Sequence, residues 1–189
     1  MRSFVKTNPI AMTKLDLTRK QFLAGSFAGL SSLLIPTQTL FAQDQKQEKP
    51  APIKPELVKE FVGVCHGKID RAKEMLANEH LLLHSSWDWG GGDFESGIEA
   101  AGHVGNKEIA AFLLSNGARY NIYLACMLGH LEIVKQVLTF NPGLLNSKGA
   151  HGFTMLHHAQ RGGEEAKSVA DFLMSLGAKE TKVDFYAKR

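Results

Sequence analysis

The chain of 189 residues has only two cysteines, Cys65 and Cys126, so at most one disulfide can form within it. It has no apolar run of the ~20 residues that a membrane-spanning helix needs. The stretch Phe22 to Ile35 comes nearest, with 14 residues. There is no G-x-S-x-G, no phosphate loop of the G-x-x-x-x-G-K-S/T kind and no dinucleotide fingerprint. Surplus charge is also missing from most of the chain. The formal net charge is +3, yet Arg2, Lys6, Lys14, Arg19 and Lys20 against Asp16 place +4 in residues 1–42 and leave −1 for the rest. The basic balance that would point to nucleic acid therefore does not belong to the part that folds.

Apolar residues at 44 % and charged residues at 22 % are enough for one packed domain. The N-terminal stretch "TRKQFLAGSFAGLSSLLIPTQTLFAQ" has the layout of an export signal. Arg19 and Lys20 form a basic edge, Phe22–Ile35 the apolar run, Pro36 a break and Ala42 a small residue for cleavage. Thr18 to Leu23 resembles a twin-arginine translocation signal with lysine in the second arginine's place, and the general secretory route is the alternative. This predicts a periplasmic or secreted protein. A membrane-anchored one is the runner-up, if the signal stays uncleaved. Residues 43–55, "QDQKQEKPAPIKP", read as a flexible linker, and the domain is expected over 56–183.

Within that domain one unit recurs. "VCHGKIDRAKEML", "HVGNKEIAAFLLSNGA", "MLGHLEIVKQVL" and "QRGGEEAKSVADFLMSLGA" align on Gly67, Gly105, Gly129 and Gly163. Four positions before these stand Gly63, Ala101, Ala125 and Ala159, all small. Beyond the glycines come Met75/Leu76, Leu113/Leu114, Val137/Leu138 and Leu173/Met174. The pattern predicts helix, glycine turn, helix. The small column lets inner helices approach, and the apolar pairs close a core between successive units.

"Thr154-Met155-Leu156-His157-His158-Ala159" resembles the T-P-L-H-x-A signature of ankyrin repeats. Gly129 to Lys135 matches that family's inter-helix turn and second helix, and Asn116-Gly117-Ala118 its repeat exit. "SWDWGGGDFESGIEAAGHVG" looks like a segment carried by a group of exported bacterial ankyrin-repeat proteins. The resemblance implies an all-α solenoid of about four helix-turn-helix units. It also implies a non-catalytic module that binds a protein partner, possible self-association included, without cofactor or metal.

The spacing departs from the family norm of about 33. The small column steps from 63 to 101, from 101 to 125 and from 125 to 159. The short middle step leaves no room for a finger between units two and three. The long first step lengthens the first loop into "SSWDWGGGDFES", residues 85–96. Gly90, Gly91 and Gly92 allow a sharp reversal there. Trp87, Trp89 and Phe94 must then pack inward or serve as anchors for a partner. Candidate partner-binding residues are Trp87, Asp88, Trp89, Asp93 and Phe94 of this loop, Tyr120 and Tyr123 beside the missing finger, and His151 and Phe153 in the last finger. The competing reading is an enzyme or small-ligand binder in which Asp88, Asp93 or Glu95 converge on a pocket.

His80 and His84 have metal-ligand spacing on one helical face, but no third ligand follows at a recognised distance. His66, His103, His130 and His157 read as architectural or exposed. The register places Cys65 and Cys126 two layers apart, too far for a bridge, so free thiols are expected.

Overall fold

The computed structural model describes residues 49–186. The export segment 1–42 and residues 43–48 of the linker lie outside the described residues. Residues 49–54 form neither helix nor strand, but Ile53 already packs against the core. Helix α1 (Pro55–Val64) begins one residue before the expected boundary. Its proline sits in the first turn, where a missing N–H leaves no helical bond unmade.

Four helix pairs follow the four sequence units. α1 pairs with α2 (Ile69–Asn78), α3 (Gly97–Val104) with α4 (Lys107–Ser115), α5 (Ile122–Met127) with α6 (Leu131–Phe140), and α7 (Met155–Arg161) with α8 (Lys167–Ser175). The architecture is the expected all-α repeat solenoid. Caps set the helix starts. Asn106, Asn121 and Thr154 accept from Ile109, Leu124 and His157 N–H, and the Glu99 carboxylate accepts from both Ser96 N–H and Ser96 Oγ–H. Among the described residues no helix is long and apolar enough to cross a membrane.

Ala101, Ala125 and Ala159 are fully buried on the inner helices. Gly63 does not join them, because it faces solvent with nothing near it. The close approach to α1 falls at Gly97 instead, where a Cβ would stand 2.9 Å from both Cys65 Sγ and the Phe61 ring. On the outer helices Met75, Leu76, Leu113, Leu138 and Leu173 are buried, whereas Met174 faces solvent. Gly129 is left-handed (φ 75°), and a Cβ on it would lie 2.2 Å from the Glu165 carbonyl oxygen. That turn must therefore be glycine for two reasons: backbone conformation and contact with the next unit.

Layers are not confined to nearest neighbours. α3 packs against α5 and also against α7, and Lys107 of unit two donates to the Gly162 carbonyl (2.7 Å) and to Glu165 (2.8 Å) of unit four. The short α5 allows this. Its Leu124 and Met127 belong to a core shared with units one and two, and its Ala125 and Cys126 to a second core shared with unit four.

The fingers differ as the spacing predicts. Residues 116–121 contain no strand, so the middle finger is missing. The first is a 3₁₀ turn (His80–His84) followed by an antiparallel hairpin, β1 (Ser86–Asp88) and β2 (Phe94–Ser96). In the last, Phe153 bridges to Lys182 near the C-terminus, and Val183 donates to Gly152. Cys65 and Cys126 are buried free thiols, both pushed up to about 12 by burial.

Candidate functional site beneath the Trp-Gly hairpin

The hairpin pairs Ser86 with Ser96, Trp87 with Glu95 and Asp88 with Phe94. Strand side chains alternate between faces, and cross-strand partners share one. Trp87, Trp89, Asp93 and Glu95 therefore point one way, and Asp88 and Phe94 the other. Gly90, Gly91 and Gly92, all at positive φ, turn the chain between the strands. Asp88 stays at the surface and caps this turn, accepting from Gly90 N–H (2.8 Å) and Gly92 N–H (3.1 Å).

The inward face is the unexpected one. Glu95 is 0 % exposed and Asp93 4 %, while Phe94 between them is 59 % exposed. Glu95 Oε2 accepts from the Trp89 indole at 2.8 Å. Three imidazoles surround the same carboxylate. His103 Nδ1 lies 2.9 Å and His66 Nε2 3.6 Å from Oε1, and His151 Nε2 lies 3.3 Å from Oε2. Burial alone would raise the Glu95 carboxyl. The His103 and His66 imidazoles and the Trp89 indole outweigh it and hold the group below the usual carboxylate range.

Each histidine is set by a different element. His66 stands just past α1, with Nδ1 3.1 Å from the Val62 and Gly63 carbonyls. His103 is in the last turn of α3, and its own carbonyl accepts from His157 Nε2 at 2.8 Å. His151 belongs to the last finger and is the only described non-glycine residue at positive φ (58°). Asp93 holds it there twice, accepting from its backbone N–H and from Nδ1, both at 2.8 Å. A strained backbone fixed by two bonds to a buried carboxylate is an over-determined position of the kind found at binding sites.

The named candidates therefore separate. Trp89, Asp93 and His151 join Glu95, His66 and His103 in one polar cluster. Trp87 packs against the first core under the Lys59 ammonium. Phe153 stacks on His157 and has the Lys182 ammonium over its ring, so the ring is engaged within the molecule. Tyr123 is half-buried and donates to Ser147. Tyr120 is exposed, stacks on and hydrogen-bonds His130, and lines a groove of about 330 Å³ beside the missing finger. Phe94 borders another groove, of about 210 Å³, with Tyr123, Lys148 and Phe185. His80 and His84 stand apart from the cluster, along a surface pocket between α2 and α4.

Of the cluster, Glu95, His66 and His103 were not expected to act together. The signal lay in the alternation of "WDW" against "DFE", which places two acids on the face that a lone hairpin must cover. A family profile described as ankyrin repeats (3 copies) matches residues 98–184, which takes in α3 to α8 and leaves out the first unit and the hairpin. No curated protein matches the chain.

Proposed function

We propose that the chain is an exported, non-catalytic ankyrin-repeat module that engages a protein partner through the outer face of its Trp-Gly hairpin. Repeats of this kind generally mediate protein–protein interaction, and three copies are found here. The observation that carries the assignment is the inverted hairpin, with Phe94 59 % exposed and the neighbouring Glu95 fully buried. An apolar ring turned out to water, on a strand clamped by buried polar contacts, is a pre-ordered anchor. The adjoining groove adds Tyr123, Phe185, Lys148 and Glu99, an aromatic floor with one charge of each sign. Export follows the reading of residues 1–42, with Gln43 as the first residue after cleavage. The similarity of "SWDWGGGDFESGIEAAGHVG" to exported bacterial ankyrin-repeat proteins supports the same assignment.

Phe94→Ala tests the surface. Crosslinking in the exported fraction should lose its protein adduct while the helical circular dichroism stays as in wild type. An unchanged adduct would remove this face from recognition. Sedimentation of the purified chain separates a second copy from a different partner. The mass of the exported protein decides between a form cleaved after Ala42 and one that retains the apolar run.

A small-ligand reading keeps one supporting observation. Asp93 and Glu95 do converge, as that reading requires, although Asp88 does not.

A further inference from the structure

The geometry points to a binding site for one divalent transition-metal ion of the zinc class, held by His66, Glu95, His103 and His151. Each residue offers one ligand atom, and the four atoms lie within 4.8 Å of one another. Ligand atoms around a tetrahedral ion with bonds of ~2.0–2.2 Å stand ~3.3–3.6 Å apart, so the widest pair needs to close by ~1.2–1.5 Å, a shift within reach of side-chain rotation at the partly exposed His66 and His151. This site is separate from the outer face assigned to a protein partner and does not depend on it.

The tautomers favour a cation at the centre. His66 Nδ1 faces two carbonyl oxygens, which only accept, so Nδ1 carries a proton and Nε2 is the nitrogen available to a metal. His151 Nδ1 faces the Asp93 carboxylate, which leaves its Nε2 in the same state. Both Nε2 atoms lie beside the Glu95 carboxylate, at 3.6 and 3.3 Å. Fixing an imidazole through its far nitrogen, by a carbonyl or a carboxylate, is how proteins orient metal-ligating histidines. His103 Nδ1 and Glu95 Oε1 are buried and, although 2.9 Å apart, not aligned for a hydrogen bond with each other or with anything else. An ion between them satisfies both.

Charge and donor type narrow the ligand. Two buried carboxylates, Asp93 and Glu95, match one divalent cation. Three imidazole nitrogens select a first-row transition metal over magnesium or calcium, which take oxygen. His66 and His151 keep 31 % and 25 % of their side-chain surface, so the ion has a route in from solvent. Bound there, it would link the end of α1, the second hairpin strand, the end of α3 and the last finger. A two-stranded hairpin is marginal alone, and such a crosslink would fasten it to the stack.

The test uses the full chain, stripped with a chelator and titrated with zinc, then with cobalt as a spectroscopic probe. One zinc per chain is expected, with a rise in melting temperature and cobalt d–d bands of a low-coordinate, imidazole-rich site. His66→Ala removes a half-exposed ligand and should fold like the stripped wild type, yet bind zinc at least ~100-fold more weakly. Glu95→Gln should lose binding as well. If it fails to fold, His66→Ala decides. His80→Ala/His84→Ala should bind like wild type. No zinc-dependent shift in the wild-type chain would mean that protons alone balance the cluster, and the proposal fails. It fails equally if His66→Ala binds unchanged, or if the His80/His84 variant is the one that loses the metal.

Discussion

The molecule has two interiors built on opposite principles. Between helix layers the contacts are apolar side chains, alanine, leucine, isoleucine, valine and methionine with Phe61 and the two cysteines, spread over both cores. Beneath the hairpin the interior is a carboxylate ringed by imidazoles and an indole. The first gains from any close-packed apolar surface, and its stability is the sum of many small contacts. The second is directional. Each atom needs a partner at the right place, and a missing one costs the full desolvation of a buried polar group. Substitutions should therefore fail differently in the two regions.

The largest effect belongs to the layers. Leu124 is 1 % exposed on α5, the helix that contributes to both cores. Leu124→Ala should lower stability by about 3–4 kcal/mol, measured as a shift of the urea midpoint. A loss below about 1 kcal/mol would mean that the helices close over the gap and that the layers are looser than their burial implies.

A histidine inside the layers provides the next contrast. His158 is 3 % exposed. Its Nδ1 meets the Thr154 carbonyl, and Tyr123, His157 and His103 are the groups around it. Burial, above all, brings its pKa down to about 4. The unfolded chain takes up this proton below about pH 6.5, and the folded chain only near pH 4. Stability should thus be unaffected by this group above pH 6.5, fall by about 3 kcal/mol between there and pH 4, and level off below. His158→Gln removes that contribution. The difference between the two pH–stability curves isolates it from the cluster histidines, and parallel curves would refute it.

Much of the layered region was legible because its physics is periodic. Glycine turns, the alanine column and apolar pairs recur at helical spacing, and the short step between Ala101 and Ala125 announced a missing finger. Gly63 broke the column for a local reason, since α1 ends the stack and makes its close contact through Gly97 instead. The cluster was not legible in the same way. His66, Glu95, His103 and His151 sit in four different elements and share no local spacing. Only the contact of unit two with unit four brings Asp93 beside His151. The two-residue alternation around Glu95 was the one local sign, and it ran against the expectation that acids face water.

Within the cluster, Asp93→Asn sharpens the comparison. The amide keeps the shape of the carboxylate but loses its charge and one of two acceptors for His151. About 1–2 kcal/mol of stability should be lost, by calorimetry. The left-handed His151 should also relax, visible as faster amide exchange over residues 149–153. Exchange that stays at the wild-type rate would show that Gly149 and Gly152, not Asp93, set the finger.

The smallest stability effect is expected at the place with the largest proposed role. Phe94 shares a strand with Glu95, yet its ring is 59 % exposed at the edge of a surface groove, so Phe94→Ala should change stability by no more than about 0.5 kcal/mol. Aromatic anchors at interface centres commonly cost 2 kcal/mol or more in binding when truncated, a fall in affinity of roughly 30-fold. The two measurements on one variant thus separate the faces of one strand. A substantial loss of stability would mean that the ring covers the cluster and that its outward position is architectural. Intact stability with weakened partner capture would assign the inner face to holding the hairpin and the outer face to recognition.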